Sequence, residues 1–445
     1  MVSKGRRMSL VIKNGHVIDP ASGTSEPLDV LIEGNAVARI GADLDGDEVI
    51  DAAQCVVCPG LVDVHVHFRE PGGESKETIE TGSRAAAHGG FTSVVTMPNT
   101  NPPIDNPGTL EGVIRRARAT SCIKVWPAAC ATKGRAGREM TQIAELKAAG
   151  AVAVTDDGDD IASSGLMRRV LKCTNRCGLV YIAHCEDPTL CPHGVVNEGA
   201  VSAKLGLPGI PKAAEETMVE RNIGLAHAAG ARIHIAHVST AGSVDIIRRA
   251  KARGVAVTCE TAPHYWTLTD EAVMTFGANA KMKPPLRDPE DVAAIKQGLA
   301  DGTIDCIATD HAPHAPAEKA VGIALAPFGV IGLETSLALT LTELVAPGVI
   351  SLDKAVERMS YAPARVLGLA AGVLEEGGPA DVTVFDPKAE WVVDPDEFLS
   401  LSRNTPFAGR PVRGRVKTTI CDGKVVYQAS QTGRSSTPEW SEVTR

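Results

Sequence analysis

Short apolar segments alternate with longer helical patterns through the middle of this 445-residue chain. The apolar segments have the length of buried strands, and the stretches between them repeat apolar residues at helical spacing. The predicted strands are residues 61–66, 91–96, 123–129, 151–155, 179–183, 232–236, 255–259 and 304–308, and the predicted helices include 78–88, 138–149, 213–229, 241–253 and 288–300. Eight strand–helix repeats predict an α/β fold, a (β/α)8 TIM-type barrel.

Both chain ends have a different pattern, that of short β-strands joined by turns. Near the N-terminus, an Asn14-Gly15 turn is predicted to separate strands at 9–12 and 16–18, and Asp422-Gly423 is predicted to join two strands near the C-terminus. We therefore expect a small β-sandwich domain formed from both chain ends. The predicted boundaries are 1–58 and 371–430 for the two parts of the sandwich, 59–370 for the barrel and 431–445 for a flexible tail.

The composition is that of an ordinary globular protein, with 44% hydrophobic residues, 22% charged residues and a net charge of -9. Nucleic acid is not an expected partner, because no basic cluster occurs and aromatic residues make up only 3%. We find neither a signal peptide nor a membrane span, so the 11 cysteines predict reduced thiols in the cytoplasm. The Cys55-x-x-Cys58 pair is interpreted as packing, since no second pair completes a zinc site.

A His-x-His motif ends the first predicted barrel strand. Side chains alternate along a strand, so His65 and His67 face the same way and can bind one metal ion. Arg69 would lie on that face if the strand continued, and its guanidinium could bind a substrate carboxylate there. The motif predicts a metal-dependent enzyme with an anionic substrate.

Further metal-binding side chains follow four other predicted strands. They are Asp156 and Asp157 after strand four, His184 after strand five, His237 after strand six, and Asp310 with His314 after strand eight. Active sites of such barrels lie at the carboxyl ends of the strands, so these side chains would meet at one rim. They suffice for two metal ions joined by a carboxylate. Strand four contains no lysine, so an aspartate bridge is predicted, and the residues leave open which aspartate provides it.

The other histidines receive more ordinary interpretations, because an isolated histidine is more often structural than a ligand. Four are expected to be structural: His16, His88, His193 and His227. His234 lies within a predicted strand and is left unassigned. His264 follows strand seven and is interpreted as a packing residue near the barrel mouth.

Seven motifs together resemble the amidohydrolase superfamily and, within it, the type I dihydroorotases, over nearly the whole chain. They are residues 65–72, 97–100, 156–158, 237–242, 284–287, 310–314 and 327–329. The His-x-His pair marks only the superfamily, whereas the following arginine, Met-Pro-Asn-Thr and Asp-Asp-Gly narrow the resemblance. It implies a barrel flanked by a small β-sandwich. The implied reaction is reversible hydrolysis of (S)-dihydroorotate to N-carbamoyl-L-aspartate in pyrimidine biosynthesis, by attack of a metal-bridging hydroxide on the cyclic amide.

The resemblance also implies a centre of two zinc ions and a role for each site residue. The implied metal ligands are His65, His67, Asp157, His184, His237 and Asp310, with Asp157 as the bridge and Asp310 also as the catalytic acid and base. The implied substrate-binding residues are His67, Arg69, Asn99, Lys283, His314, Phe328 and Gly329. Lys283 departs from the family, which usually has asparagine there. The sequence leaves open whether that position binds substrate through its backbone or its side chain.

Two alternatives remain. A hydantoinase or allantoinase would share the histidines, but it usually has a bridging lysine and lacks the arginine after His-x-His. A non-catalytic scaffold for aspartate transcarbamoylase would have lost ligands that this chain keeps. We expect a small-molecule substrate, a homo-oligomer and no nucleic-acid or membrane partner. Association with aspartate transcarbamoylase is left open.

Overall fold

The computed structural model describes residues 8–429, so the predicted tail at 431–445 lies outside the described residues. Apart from the short parallel pair Val196–Asn197 and Gly209–Ile210, which forms a sheet of its own, seven parallel strands occupy the middle of the chain: Leu61–Val66, Phe91–Thr96, Lys124–Pro127, Tyr181–Ala183, Ile233–Ile235, Val257–Thr261 and Cys306–Ile307. The first three form one sheet and the last four a second. Isolated bridges from Val154 to Ala129 and Tyr181, and from Val66 to His311, link the edges of the two sheets. The strand ends that carry the predicted ligands are therefore held side by side.

The fourth predicted strand, 151–155, is not a regular strand, and only its Val154 forms β-bridges. The segment still has neighbours on both sides. Val154 N–H donates to the carbonyl of Val180 at 3.1 Å, and Thr155 N–H donates to the carbonyl of Ala129 at 2.9 Å. Its extended part is too short to count as a strand, but it places Asp156 and Asp157 between two parallel strands.

Helices connect these strands, and several begin at a residue whose side chain accepts a backbone N–H, as expected for N-caps. Such caps include Thr78, Asn106, Ser163, Thr240 and Asp288. The α-helices are Ile79–His88, Pro107–Thr120, Ile143–Ala148, Ser164–Arg176, Ala200–Leu205, Lys212–Ala229, Ala241–Ala252, Pro263–Thr267, Ala272–Phe276, Pro289–Asp301, Pro316–Lys319, Ser336–Thr340, Leu352–Met359 and Tyr361–Leu367. Short 3₁₀ turns occupy Lys133–Arg135, Gly277–Ala280 and Pro395–Glu397, and Leu341–Val345 is a π-helical turn.

The helix predicted at 138–149 is shorter in the structure, where it covers Ile143–Ala148. Residues 138–142 instead pair with the loop after the third parallel strand: N–H of Thr141 donates to the carbonyl of Ala131 at 3.0 Å, and N–H of Lys133 donates to the carbonyl of Glu139 at 2.8 Å. The helical spacing of apolar residues does not report this pairing between separate segments. Within residues 8–429, no helix has both the length and the apolar character needed to cross a bilayer.

The two chain ends meet in one eight-stranded sheet. Its strands are Ser9–Asp19, Thr24–Glu33, Ala36–Gly41, Glu48–Asp51, Val56–Pro59, Val382–Val392, Pro411–Cys421 and Lys424–Gln428. The N-terminal and C-terminal parts join where Val57 pairs with Val384 in antiparallel register. The predicted Asp422-Gly423 turn is present, with both residues at positive φ.

The predicted Asn14-Gly15 hairpin turn is wrong. Ser9–Asp19 is one continuous strand, and its register with the next strand shifts between Ile12 and Gly15. Asn14 has φ 63°, and a Cβ on Gly15 would lie 2.4 Å from Cγ2 of Val57. The pair therefore forms a bulge, and glycine is required by the close approach of the neighbouring strand.

The seven parallel strands and the segment 151–155 make eight parallel segments, each taken with its adjoining residues. One apolar cluster receives side chains from seven of these segments and from the helix Tyr361–Leu367. The strand contributions are Val62, Val64, Val95, Met97, Ala128, Ala153, Val180, Ile182, Ala236, Cys306 and Ala308. Of these eight segments, Val257–Thr261 is the one that adds no apolar side chain to this cluster. It carries the buried carboxylate Glu260 instead.

Candidate metal centre and substrate site

Six side chains from five strand ends converge, and each is at most 5% exposed: His65, His67, Asp157, His184, His237 and Asp310. Their ligand atoms form three groups, each with all atoms within 4.8 Å of one another. The groups are His65–His67–Asp157, Asp157–His184–His237 and His65–His237–Asp310. The structure thus brings together all six predicted metal ligands.

Asp157 lies at the centre of the four histidines. Its Oδ1 is 3.3 Å from Nε2 of His65, and it is 3.6 Å from both Nδ1 of His184 and Nε2 of His237. Its Oδ2 is 3.5 Å from Nε2 of His67. One carboxylate therefore contacts His65 and His67 as well as His184 and His237, as a bridging group must.

Asp156 has different surroundings, although it is equally buried. Its Oδ1 accepts the backbone N–H groups of Ala131 at 2.9 Å and Thr132 at 3.0 Å, and Oδ2 accepts the Thr132 hydroxyl. These bonds hold Asp156 against the neighbouring loop. The geometry favours Asp157 for the bridging position.

The donor atoms fit divalent metal. His65 Nε2 and Asp157 Oδ1 are buried without hydrogen-bond partners. His184 Nδ1 and His237 Nε2 lie 2.8 Å apart, so at most one of these two nitrogens donates to the other. An unsatisfied buried polar atom costs about 1–3 kcal/mol. Imidazole nitrogens and carboxylate oxygens are ligands of zinc and related ions, which would satisfy these atoms.

Three site residues adopt left-handed backbone conformations: Arg69 at φ 59°, His237 at φ 35° and Asp310 at φ 47°. Such conformations cost non-glycine residues about 1–3 kcal/mol each and are concentrated at functional sites. Each follows a parallel strand directly or within three residues. The sharp change of chain direction places these side chains at the strand ends.

Asp310 lies beside two of the histidines. Its Oδ1 is 3.1 Å from Nε2 of His67 and 3.6 Å from Nε2 of His65. Burial alone would raise the pKa of Asp310, but the charges and hydrogen bonds of these histidines outweigh burial and lower it below its usual value. Asp310 is therefore a carboxylate at neutral pH.

Glu260 and His234 were not predicted as site residues, yet Glu260 contacts the predicted ligand His65, and His234 contacts Glu260. Glu260 Oε1 is 2.7 Å from Nδ1 of His65, and Oε2 is 3.1 Å from Nε2 of His234. The predicted seventh strand ended at residue 259, whereas the observed strand Val257–Thr261 includes Glu260. A glutamate within an apolar strand is the signal that could have identified it.

Arg69 lies near the centre, but not for the predicted reason. The first strand ends at Val66, so strand alternation does not orient Arg69. Its Nε donates to the carbonyl of Pro313 at 3.1 Å, and its Nη2 is 3.4 Å from Nε2 of His314. Burial lowers the pKa of Arg69 to about 10, so the guanidinium remains charged at neutral pH.

Asn99 contacts a metal ligand directly, because its Oδ1 lies 2.9 Å from Nδ1 of His67. When Nδ1–H donates to this oxygen, Nε2 of His67 is left to face Asp157 and Asp310. The amide nitrogen of Asn99 then remains as a donor for other groups.

His314, Phe328 and Gly329 form one connected unit. Nε2–H of His314 donates to the carbonyl of Phe328 at 2.7 Å, and N–H of Gly329 donates to the carbonyl of Lys281 at 2.9 Å. Asn404 accepts the backbone N–H of His314 at 3.1 Å and donates to the carbonyl of Gly329 at 3.0 Å. These backbone groups already have partners within the protein, so their contact with substrate stays a prediction.

Lys283 forms an ion pair, with Nζ 2.9 Å from Oε1 of the buried Glu186. Its ammonium also lies 5.9 Å from the ring centroid of Phe328. Glu186 follows the ligand His184 by two residues. The positive charge of Lys283, at the position where the resembled family usually has asparagine, is thus paired with the carboxylate of Glu186. Contact of Lys283 with substrate stays a prediction.

His264 is 1% exposed, and its Nε2 has no hydrogen-bond partner. Burial lowers the pKa of His264 to about 4, so its imidazole is neutral at pH 7. Its ring packs on Tyr265 with centroids 4.2 Å apart, which agrees with the packing interpretation.

Two family models match the chain. The model described as Dihydro-orotase-like matches residues 54–243, and that of the Amidohydrolase family matches residues 202–427. Together the matched regions include every residue of the cluster.

Curated relatives are similar over nearly their full length. A protein named dihydroorotase from Pelotomaculum thermopropionicum is 53% identical over 95% of this chain and 99% of its own. Dihydroorotases from Pelobacter propionicus and Citrifermentans bemidjiense are 52% and 53% identical, each over 95% of this chain and 100% of their own.

Solved structures share the fold at lower identity. The L-hydantoinase (dihydropyrimidinase) from Arthrobacter aurescens superposes with a TM-score of 0.85 at 27% identity, covering 97% of this chain and 98% of its own. The dihydropyrimidinase from Brevibacillus agri has a TM-score of 0.85 at 25% identity, covering 97% and 96%.

Proposed function

The chain belongs to the dihydroorotase family of metal-dependent amidohydrolases, and on that premise we propose that the strand-end cluster opens and closes the dihydroorotate ring. The reaction is reversible hydrolysis of (S)-dihydroorotate to N-carbamoyl-L-aspartate. The observation that carries the proposal is the convergence of three overlapping ligand groups on His65, Asp157 and His237. A scaffold that had lost catalysis would have no need to keep this arrangement.

The eight parallel segments are proposed to form one (β/α)8 barrel over residues 59–370. The bridges at Val154 and between Val66 and His311 support this, because they connect both edges of the two parallel sheets. Residues 1–58 and 371–430 are proposed as the accompanying β-sandwich domain, supported by the shared sheet of the two chain ends. Ligands on separate strands then meet at the carboxyl rim.

Two zinc ions are the proposed cofactors. His65 and His67 would hold one and His184 and His237 the other, with Asp157 between them. Asp310 would be a further ligand of the first ion. When bound, such ions polarise an amide carbonyl and make water acidic enough to supply a nucleophile at neutral pH.

Asp310 is proposed to move the proton. Its carboxylate form, favoured by His65 and His67, can accept the proton of the attacking water. The same carboxyl group then gives that proton to the ring nitrogen that leaves. In ring closure Asp310 takes the proton from the carbamoyl nitrogen, and each step runs in reverse.

The unreactive carboxylate of the substrate is proposed to bind between Arg69, Asn99 and His314. Arg69 supplies a charged fork, and the amide nitrogen of Asn99 supplies a donor because its oxygen is occupied by His67. Because Nε2–H of His314 donates to the carbonyl of Phe328, its second nitrogen, Nδ1, can donate to this carboxylate only when the ring carries both protons, a form that the anionic substrate favours. Lys283, Phe328 and Gly329 are proposed to line the same pocket.

Substrate comparison tests this function against the hydantoinase alternative. The solved L-hydantoinase and dihydropyrimidinase described above share the fold at 27% and 25% identity, whereas the first two dihydroorotases named above are 53% and 52% identical. We expect dihydroorotate to be hydrolysed with a kcat/KM at least about 100-fold above that for hydantoin or allantoin, because Arg69 lacks its carboxylate partner in those rings. A preference for hydantoin or allantoin would contradict the proposal.

A further inference from the structure

A buried glutamate on one of the parallel strands contacts a residue of the metal-ligand cluster. Glu260 is 1% exposed and stands on the strand that adds no apolar residue to the interior cluster. Burial of a carboxylate is costly unless it is paired. Its pairing with His65 and His234 therefore needs a functional or structural reason.

We propose that Glu260 is a positioning residue for His65, an inference that rests on the proposed metal centre. Oε1 of Glu260, 2.7 Å from Nδ1 of His65, accepts the Nδ1–H proton. The imidazole then keeps Nε2 free of a proton and turned toward Asp157, 3.3 Å away. A metal-binding imidazole needs this tautomer, and a carboxylate behind it both fixes the ring and increases its basicity.

His234 holds Glu260 from the opposite side. It is 0% exposed, its Nε2 is 3.1 Å from Oε2 of Glu260, and its Nδ1 is 2.9 Å from the hydroxyl of Thr258. A chain of hydrogen bonds thus runs from Thr258 through His234 and Glu260 to His65. Both carboxylate oxygens are engaged, which fixes the rotation of the carboxylate.

The same residues could instead form a third metal site, because ligand atoms of His234, Glu260 and Cys306 lie within 4.8 Å of one another. Hydrogen bonding argues against this. Both oxygens of Glu260 and both nitrogens of His234 have partners, whereas His65 Nε2 in the main cluster has none. The structure assigns these residues to a positioning network.

Zinc affinity, measured by competition with a chelator, tests the proposal. We expect Glu260→Leu to weaken zinc binding by about 10- to 100-fold, the usual effect of losing such a partner. Glu260→Gln should restore most of the affinity, because its amide can still accept from His65 and donate to His234. His88→Asn is the matched control, since it breaks another histidine–carboxylate pair, with Glu334, and should leave zinc affinity unchanged.

Circular dichroism and thermal melting would show whether each variant is folded. If Glu260→Leu does not fold, His234→Leu, which frees one carboxylate oxygen, should weaken zinc binding in the same direction. Wild-type zinc affinity in a folded Glu260→Leu protein would overturn the proposal. So would a third zinc equivalent that is lost in Cys306→Ala. Failure of the proposed function would be distinct: wild-type protein would bind zinc in a Glu260-dependent way but leave dihydroorotate intact.

Discussion

Arg69 is the residue through which, we propose, this site distinguishes its substrate by charge. Its guanidinium is held by the carbonyl of Pro313 and stays protonated below its pKa of about 10. A substrate ring without a negative charge gains no binding energy from the guanidinium, whereas a ring that bears a carboxylate gains a paired hydrogen bond.

We expect Arg69→Ala to raise KM for dihydroorotate by about 30- to 5,000-fold, because losing one partner of a buried charge pair costs about 2–5 kcal/mol. Zinc content should not change, since Arg69 is not a proposed ligand. Steady-state kinetics and metal analysis measure both. Arg116→Ala, which removes an ion pair with Glu70, is the control and should leave KM unchanged. Loss of zinc from Arg69→Ala would contradict the assigned role.

Lys319 is buried, and its ammonium donates to the carbonyls of Ala278 at 2.9 Å and Pro327 at 2.8 Å. Burial, with Lys281 and Arg69 nearby, lowers the pKa of Lys319 to about 7. Between this value and the unfolded value near ~10.4, the unfolded chain binds the extra proton, so stability rises with pH in that range. The burial penalty is complete below about pH 7 and absent above about pH 10.4.

Lys319→Met should therefore change thermal stability more favourably at about pH 6 than at about pH 9.5. Thermal melting of both proteins at the two pH values measures the difference. Lys388→Met, at an exposed lysine, is the control and should show no such pH dependence. An equal change in Tm at both pH values would show that Lys319 has the same charge in the folded and unfolded states.

At the scale of elements, the helix Ile79–His88 packs closely on the end of the His-x-His strand. Gly82 faces Phe68, the residue after His67, and a Cβ at Gly82 would lie 2.5 Å from two ring carbons. Phe68 is 2% exposed, and in a close-packed interior its ring could give way only by displacing its neighbours. A helical glycine is thus required by packing.

Gly82→Ala should lower the free energy of unfolding by about 1–3 kcal/mol through overpacking. Gly224→Ala, in the helix Lys212–Ala229, should raise it by about 0.4–1 kcal/mol, because its new Cβ would meet nothing within 4 Å. Urea unfolding of both variants gives the comparison. Stabilisation by both substitutions would contradict the close packing at Phe68.

The sequence predicted elements and site residues correctly where a local pattern is compatible with only one structure. Strand alternation correctly placed His65 and His67 on one side, because their strand runs almost to His67. An Asn-Gly pair serves a hairpin or a bulge, and at Asn14 the choice depends on Val57, 43 positions along the chain. Asp157 could not be separated from Asp156, since the distinction arises from bonds to Ala131 and Thr132. Glu260 was missed because the predicted strand ended at residue 259, two residues before the observed end at Thr261.

At the scale of the whole molecule, the parallel strands that carry the site also contact the sheet formed by the two chain ends. Lys124, at the start of a parallel strand, contacts Asp381 at 2.6 Å and Asp422 at 3.0 Å in the terminal part of the chain. Segments more than 200 residues apart are thus in contact in the folded chain, and so are His65 and Asp310, at 3.6 Å. We propose that bound cations satisfy the buried donor atoms that this approach brings together.

Zinc titration of metal-free protein tests the central claim most directly. Hydrolysis of dihydroorotate and bound zinc are followed together as zinc is added. The account predicts no activity without metal, and a rate that reaches its maximum at about two zinc ions per chain, the number that a carboxylate-bridged centre holds. Full activity in protein verified to be metal-free would contradict it, as would a maximum reached at one ion.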